Sequence, residues 1–209
     1  MKHILCYGDS NTWGFDPLTT NRLDHHTRWT RILGATLGSE YEIVEEGLTG
    51  RTTVYDDELD TGKNGRTYLN PCLESHRPLD LVIILLGTND LKKKFHLSAE
   101  EIARGAGELV RMVQGSWVGP DWKGPPVLLL APPKTTKITE FAADFDERTE
   151  QVSAKFGECF RAVAEELACP FLDTSEIIVS SPADGIHFEA SEHRKLGLAL
   201  AAKVKELIG

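Results

Sequence analysis

At 209 residues, 41% hydrophobic and 26% charged, the chain suits one domain with a substantial buried core and has the composition of an ordinary soluble globular protein. Its formal net charge of -9 argues against a general nucleic-acid or anionic-membrane surface, because either would attract a basic patch. No apolar stretch reaches the ~20 residues of a membrane span, and Met1-Lys2-His3-Ile4 leads straight into an apolar run without a signal-peptide core, so a cytoplasmic protein is expected.

The first predicted strand, residues 3–7, ends in Gly8-Asp9-Ser10-Asn11-Thr12-Trp13-Gly14, a polar turn that Gly8 lets bend sharply. A helix is expected over 28–38 and a second strand over 41–46, followed by Gly47-Leu48-Thr49-Gly50-Arg51. Residues 51–78 mix charge, glycine and proline and are longer than a usual connection, as a functional or interface-forming excursion is. The run Leu79-Asp80-Leu81-Val82-Ile83-Ile84-Leu85-Leu86 reads as a third strand and gives way to Gly87-Thr88-Asn89-Asp90. Lys92-Lys93-Lys94 reads as a solvated loop or helix start rather than a phosphate site.

Ser98 with Glu101 three residues later resembles a capping box opening a helix over 98–115, whose apolar positions include Ile102, Ala106, Leu109, Val110 and Val113. Strands at 126–131 and 170–173 flank a helix expected over 146–168, and a last helix covers 190–208. Several strands are apolar on both faces, which suits a buried parallel sheet. The order of elements implies an α/β protein, a three-layer α/β/α sandwich with right-handed crossovers. Such sheets bind ligands beyond the carboxyl ends of their strands, so the segments after each strand are expected to meet on one rim.

Ser10, Asp184 and His187 supply a nucleophile, an acid and a base. A neutral hydroxyl attacks poorly until an imidazole takes its proton, and the imidazole works best when a carboxylate fixes its tautomer. Asp184-Gly185-Ile186-His187 can bring both groups together in one turn. Structural alternatives exist for each motif: Asp9-Ser10 and Asn89-Asp90 as helix caps, Gly47 and Gly50 as turn glycines, Asp184 with His187 as a surface ion pair. His3, His25, His26, His76, His96 and His193 read as surface or structural, and no histidine or aspartate cluster has metal-site spacing. Cys6, Cys72, Cys159 and Cys169 lack CxxC spacing and read as reduced thiols.

Taken in order, Gly8-Asp9-Ser10, Gly47-Leu48-Thr49-Gly50, Gly87-Thr88-Asn89-Asp90 and Asp184-Gly185-Ile186-His187 resemble the four blocks of the SGNH (GDSL) hydrolase family. The Gly-Asp-Ser-Asn-Thr-Trp-Gly opening, the Glu-Glu-Gly-Leu-Thr-Gly-Arg-Thr-Thr stretch and Asp-Gly-Ile-His-Phe further resemble its bacterial arylesterase/acyltransferase branch. The resemblance covers essentially the whole chain. It implies a mostly parallel five-stranded sheet of the flavodoxin-like kind and residues 1–209 as one SGNH hydrolase domain.

It also implies a serine esterase in which Ser10 attacks an ester carbonyl, His187 shuttles the proton and Asp184 orients the imidazole. The oxyanion hole it implies is made by the backbone N–H groups of Ser10 and Gly50 and the side-chain amide of Asn89. Trp13, Phe15, Ile186 and Phe188 flank these blocks and are candidates for an apolar wall against an acyl or aryl group, with core packing as the alternative. The expected substrates are short-chain or aryl esters with no cofactor or metal, the acyl acceptor being water, an alcohol or peroxide. Carbohydrate O-acetyl esterase, lysophospholipase or thioesterase activity, and a catalytically silent binding module, are the competing readings. A homo-oligomer is expected, with residues 51–78 or 134–145 at its contacts. Two positions depart from the family pattern: Asn11 stands for the usual leucine, and Glu45 for a common asparagine.

Overall fold

The structure is a computed structural model that describes residues 1–139, 141 and 143–209. Five strands, β1 (Lys2–Gly8), β2 (Tyr41–Gly47), β3 (Leu81–Leu85), β4 (Val127–Ala131) and β5 (Phe171–Asp173), form one sheet in the order β2-β1-β3-β4-β5. Every pairing is parallel. The helices are α1 (Ser10–Trp13), α2 (Trp29–Leu37), α3 (Gly65–His76), α4 (Ala99–Gln114), α5 (Arg148–Ser153), α6 (Phe156–Glu166) and α7 (Ala190–Ile208).

Successive residues of a strand point to opposite faces, and here both faces are buried. Leu5, Tyr7, Val82, Ile84 and Leu129 pack with Leu69 and Leu73 of α3, Ile102 and Val110 of α4, and Phe156 and Phe160 of α6. Ile4, Cys6, Ile83, Leu85, Leu128 and Leu130 pack with Trp29 and Leu33 of α2 and Leu196, Leu200 and Val204 of α7. Each such aliphatic or aromatic side chain contributes roughly 1.5–3 kcal/mol by leaving water. This explains why the central strands read as unbroken apolar runs. The three layers agree with the sequence expectation.

The capping box is formed: Glu101 N–H donates to Ser98 Oγ at 3.2 Å and Ser98 N–H to Glu101 Oε2 at 2.8 Å. One helical expectation needs correction, and one helix was not foreseen. The helix expected over 146–168 is two, α5 and α6, and at the break the Ser153 hydroxyl accepts from Thr135 N–H at 3.0 Å. The excursion 51–78 contains α3, which apolar spacing did not reveal because only Leu69, Cys72 and Leu73 of it are buried apolar side chains and Pro71 interrupts the pattern.

Register fixes where the polar segments emerge. Gly8 is paired with Gly47 on one side and Leu85 on the other, so β1, β2 and β3 end at one level. Strand order reverses direction between β1 and β3, the place where sheets of this order open a crevice at their carboxyl ends. Asp9-Ser10, Leu48–Gly50 and Leu86–Asn89 leave the sheet at that rim.

Candidate active site

Ser10 is the first residue of α1, whose N-cap Asp9 accepts from Asn11 N–H at 2.9 Å. The cap and the hydroxyl that meets His187, on a residue that is itself buried, are therefore neighbours, not alternatives. Gly8 serves this turn through space rather than through an unusual φ, since a Cβ there would stand 2.0 Å from Thr12 Oγ1 and 2.9 Å from the Leu85 carbonyl oxygen. Asn11 ties the turn to the far end of the chain, its Oδ1 accepting from Phe188 N–H at 3.2 Å. The side chain of the partly buried Glu45 is shielded in an ion cluster, 2.5 Å from Arg31 and 3.3 Å from Arg28. Both departures from the family pattern thus have local structural partners.

Ser10 Oγ lies 2.9 Å from His187 Nε2, and His187 Nδ1 lies 2.6 Å from Asp184 Oδ2. Asp184 is fully buried, and its other oxygen accepts from the backbone N–H groups of Ile186 and His187, both at 2.9 Å. Burial alone would raise this carboxyl, but the hydrogen bond and charge of His187, with the two N–H groups, outweigh it and hold the group below the ordinary carboxylate range. An ionised carboxylate only accepts, so Nδ1 carries the ring proton and Nε2 is left to accept from the serine hydroxyl. That arrangement can deprotonate Ser10 as it attacks an electrophile.

The turn bearing Asp184 and His187 is closed by Ser181 N–H to the His187 carbonyl at 2.8 Å and Gly185 N–H to the Ser181 carbonyl at 2.8 Å. The segment after β4 docks on it through Thr136 N–H to the Gly185 carbonyl at 2.9 Å and Thr139 Oγ1 to the Ala183 carbonyl at 2.8 Å.

Ser10, Gly50, Asn89 and His187 line one cleft of about 500 Å³, a size that suits a small organic ligand. Gly50 holds φ +78°, the left-handed region that side chains disfavour. Asn89 opens a single 3-10 turn after β3, and its Nδ2 donates to the Arg51 carbonyl at 3.1 Å. Asp90 beside it accepts from Thr53 N–H at 3.0 Å and from the Thr53 hydroxyl. Burial pushes the Asp90 carboxyl up to about 7 and that of Asp9 up to about 6.

Trp13, Phe15 and Ile186 line the cleft as expected candidates, joined by Phe141 and Phe145. The Phe15 ring lies 4.2 Å from the His187 ring, centroid to centroid, and Phe141 meets the imidazole edge-on at 5.6 Å. Phe188 is a correction. It is fully buried in the core on the α2/α7 side, 5.6 Å from the His193 ring, so core packing, the alternative the sequence left open, holds for it. His193 is itself structural: its Nδ1 accepts from Trp29 N–H at 3.2 Å, and burial drives its pKa down to about 3.

Sequence spacing did not single out Phe141, Phe145, Asp60 or Asp144, which also face the cleft from irregular segments, and Lys92, read from the sequence as solvated, joins them. The lysine run is not merely solvated. Lys92 reaches the buried Asp57 carboxylate at 3.3 Å, and Lys94 pairs with the same group. Among the described residues, Glu46, Cys72 and His76 place three donor atoms within 4.8 Å of one another, away from the cleft. There Glu46 Oε1 is engaged by His76 Nε2 at 2.8 Å, and burial pushes the Cys72 thiol up to about 12, which opposes the thiolate that a metal requires. Among the described residues no helix is long and apolar enough to cross a membrane.

Residues 6–195 match the GDSL-like lipase/acylhydrolase family. Among solved structures, an aryl esterase of M. smegmatis is 40% identical, with a TM-score of 0.95 and 100% of each chain covered. A carbohydrate acetylesterase of Sinorhizobium meliloti gives the same identity, score and coverage. A carbohydrate acetylesterase family member from the same organism is 37% identical, with a TM-score of 0.93 and both chains fully covered. No curated protein matches the chain.

Proposed function

From the premise that the chain belongs to the GDSL-like lipase/acylhydrolase family and is a serine esterase, we propose that it cleaves short-chain or aryl carboxylic esters through an acyl-Ser10 intermediate. The observation that carries this reading is the continuous relay from Ser10 Oγ through His187 to the buried Asp184. In the first half-reaction Ser10 Oγ bonds to the carbonyl carbon while His187 Nε2 takes the hydroxyl proton. The C–O bond to the leaving alcohol then breaks as His187 returns that proton to it. In the second half-reaction water gives its proton to His187 and its oxygen to the acyl carbon, and Ser10 departs reprotonated. An alcohol in place of water gives transesterification, and hydrogen peroxide gives a peracid.

Negative charge collects on the carbonyl oxygen in both tetrahedral intermediates. The backbone N–H groups of Ser10 and Gly50 and the Asn89 amide are the donors assigned to it, since all three residues face the cleft. Asn89 suits the role because one amide hydrogen is engaged by the Arg51 carbonyl, leaving the other for the oxyanion. The aromatic side of the cleft, Trp13, Phe15 and Phe141, suits a small acyl or aryl group and shields the imidazole from bulk water.

A second reading, removal of O-acetyl groups from carbohydrates, is favoured by one observation: Asp60, Lys92 and Asp144 give the same cleft a polar side where a polyol leaving group could be hydrogen-bonded. Both readings share the acyl enzyme. The test is turnover of p-nitrophenyl esters of increasing chain length and of an acetylated sugar by wild type and Ser10→Ala, with intact-mass detection of the adduct. Activity and adduct lost together in the variant are expected, and wild-type-like turnover without Ser10 would sink the assignment. The ratio of sugar acetate to aryl acetate kcat/KM decides between the two leaving groups.

A further inference from the structure

We propose that Arg51 is a positioning residue of the oxyanion hole, joining the loop that carries Gly50 to the end of the strand that leads into Ser10 and setting the orientation of Asn89. The inference rests on the assignment of Ser10, Gly50 and Asn89 given above. Arg51 is 2% exposed, an unusual place for a cation in a chain rich in solvent-facing charge. Its Nη1 donates to the Gly8 carbonyl at 2.8 Å and to the Glu46 carbonyl. Those are the last peptides of β1 and the penultimate position of β2, immediately before Asp9-Ser10 and Gly47–Gly50. One guanidinium nitrogen therefore bridges the exits of the two strands that supply the nucleophile and the loop.

The guanidinium carbon also lies 4.1 Å from the centre of the Tyr7 ring and 5.5 Å from that of Tyr68. Tyr7 is fixed in turn, its hydroxyl donating to the Gly65 carbonyl at 2.7 Å. A planar cation that stacks on a ring while donating in its own plane has one way to sit, which a lysine ammonium cannot reproduce.

The main chain of the same residue faces the other wall of the hole. Arg51 N–H donates to the Leu48 carbonyl at 3.1 Å, closing the turn that contains Gly50. Its carbonyl accepts from Asn89 Nδ2 at 3.1 Å, which sets the amide plane. Two residues later Thr53 is held by Asp90. The side chain thus anchors the peptide that orients Asn89, although the guanidinium touches no reacting atom. A hole donor is useful only when aimed at the oxyanion, so a small loss of aim costs turnover rather than substrate binding.

The experiment compares Arg51→Lys and Arg51→Ala with wild type on p-nitrophenyl acetate, each also in an Asn89→Ala background, with thermal unfolding measured alongside. The expected result is kcat lower by about ten- to a hundredfold with KM within about twofold, a smaller penalty than the ~10²–10³ of deleting a hole donor outright. Millimolar guanidinium chloride should restore part of the kcat of Arg51→Ala. The penalty of Arg51→Lys should shrink when Asn89 is already gone, because coupled groups do not add. Arg51→Lys with kcat within about threefold of wild type, or with an equal penalty in both backgrounds, overturns the proposal. If Arg51→Ala does not fold, Arg51→Lys and its cycle decide alone. Ser10→Ala run in parallel separates the two claims: an active Ser10→Ala removes the acyl-enzyme assignment itself, whereas an inert one beside an unaffected Arg51→Lys removes only the role of Arg51.

Discussion

The turn at 184–187 and the loop at 47–53 complete the same cleft, yet they are organised over very different distances along the chain. Asp184 bonds a ring and two N–H groups that lie two and three residues away, and the turn closes on itself through Ser181. The 47–53 loop closes one local turn, Arg51 N–H to the Leu48 carbonyl, but it is fixed in place by partners 37 to 43 residues away: Arg51 on Gly8, Asn89 on Arg51, and Asp90 on Thr53. Within the first segment the carboxylate, the ring and their turn are joined by its own sequence, and the segment after β4 then docks on it through Thr136 and Thr139. The second has its working geometry only after β1, β2 and β3 are assembled side by side.

Breaking the local segment should have the larger effect on chemistry. Asp184→Asn keeps the shape of the turn but lets the side-chain amide donate, so the imidazole is held in the wrong tautomer. We expect kcat to fall about 10⁴-fold, the scale of tautomer inversion in a serine triad, with the folded state retained; steady-state kinetics with circular dichroism would show it. A loss below tenfold would mean that His187 is oriented by something other than Asp184.

Breaking the non-local segment at its tip should cost less. Asn89→Ala removes one of three assigned donors, and kcat is expected to drop by about 10²–10³-fold with little change in KM. A change confined to KM in steady-state assays would make Asn89 a substrate-binding group instead.

Their stability should respond to pH with opposite sign. The carboxyl of Asp184 is depressed in the folded state, so the stability it supplies is present above its unfolded pKa of ~3.9 and is lost as pH falls through the folded value. The Asp90 carboxyl is raised to about 7 by burial, so the folded state holds a proton that the unfolded state has released above ~4. That contribution is fully present below pH ~4 and is lost as pH rises toward 7, and Asp9, raised to about 6, adds a contribution of the same sign. Thermal melts of wild type and Asp90→Asn between pH 4 and 8 sharpen the contrast. The variant should lose less stability with rising pH than wild type does, and identical slopes would show that Asp90 is already ionised throughout.

The same division explains what could be read from the sequence. The strands and the long helices α2, α4 and α7 were legible because their apolar periodicity is local, as were the Ser98–Glu101 cap and the Asp184–His187 spacing. The 146–168 segment misled because its apolar spacing continues across a break imposed by Ser153 and Thr135, 18 residues apart. Helix α3 was hidden by Pro71 and by a sparse apolar face. Arg51 received no role from the sequence, since nothing in its neighbourhood announces a bond to Gly8. Phe188 illustrates the limit at single-residue scale: adjacency to His187 suggested the cleft, but the ring packs in the core beside His193, and its backbone N–H, not its ring, meets the nucleophile turn through Asn11.

Ser10 and His187 are separated by 177 positions, which has a meaning in time as well as in space. At ~5–20 residues per second of synthesis, a growing chain presents its serine for about ten to thirty-five seconds before the histidine exists. On the proposed mechanism the hydroxyl has no base throughout that interval, so the nascent protein is chemically quiet among the esters around it. Reactivity arrives late and all at once, when the last helix can dock and bring the imidazole to the turn made first.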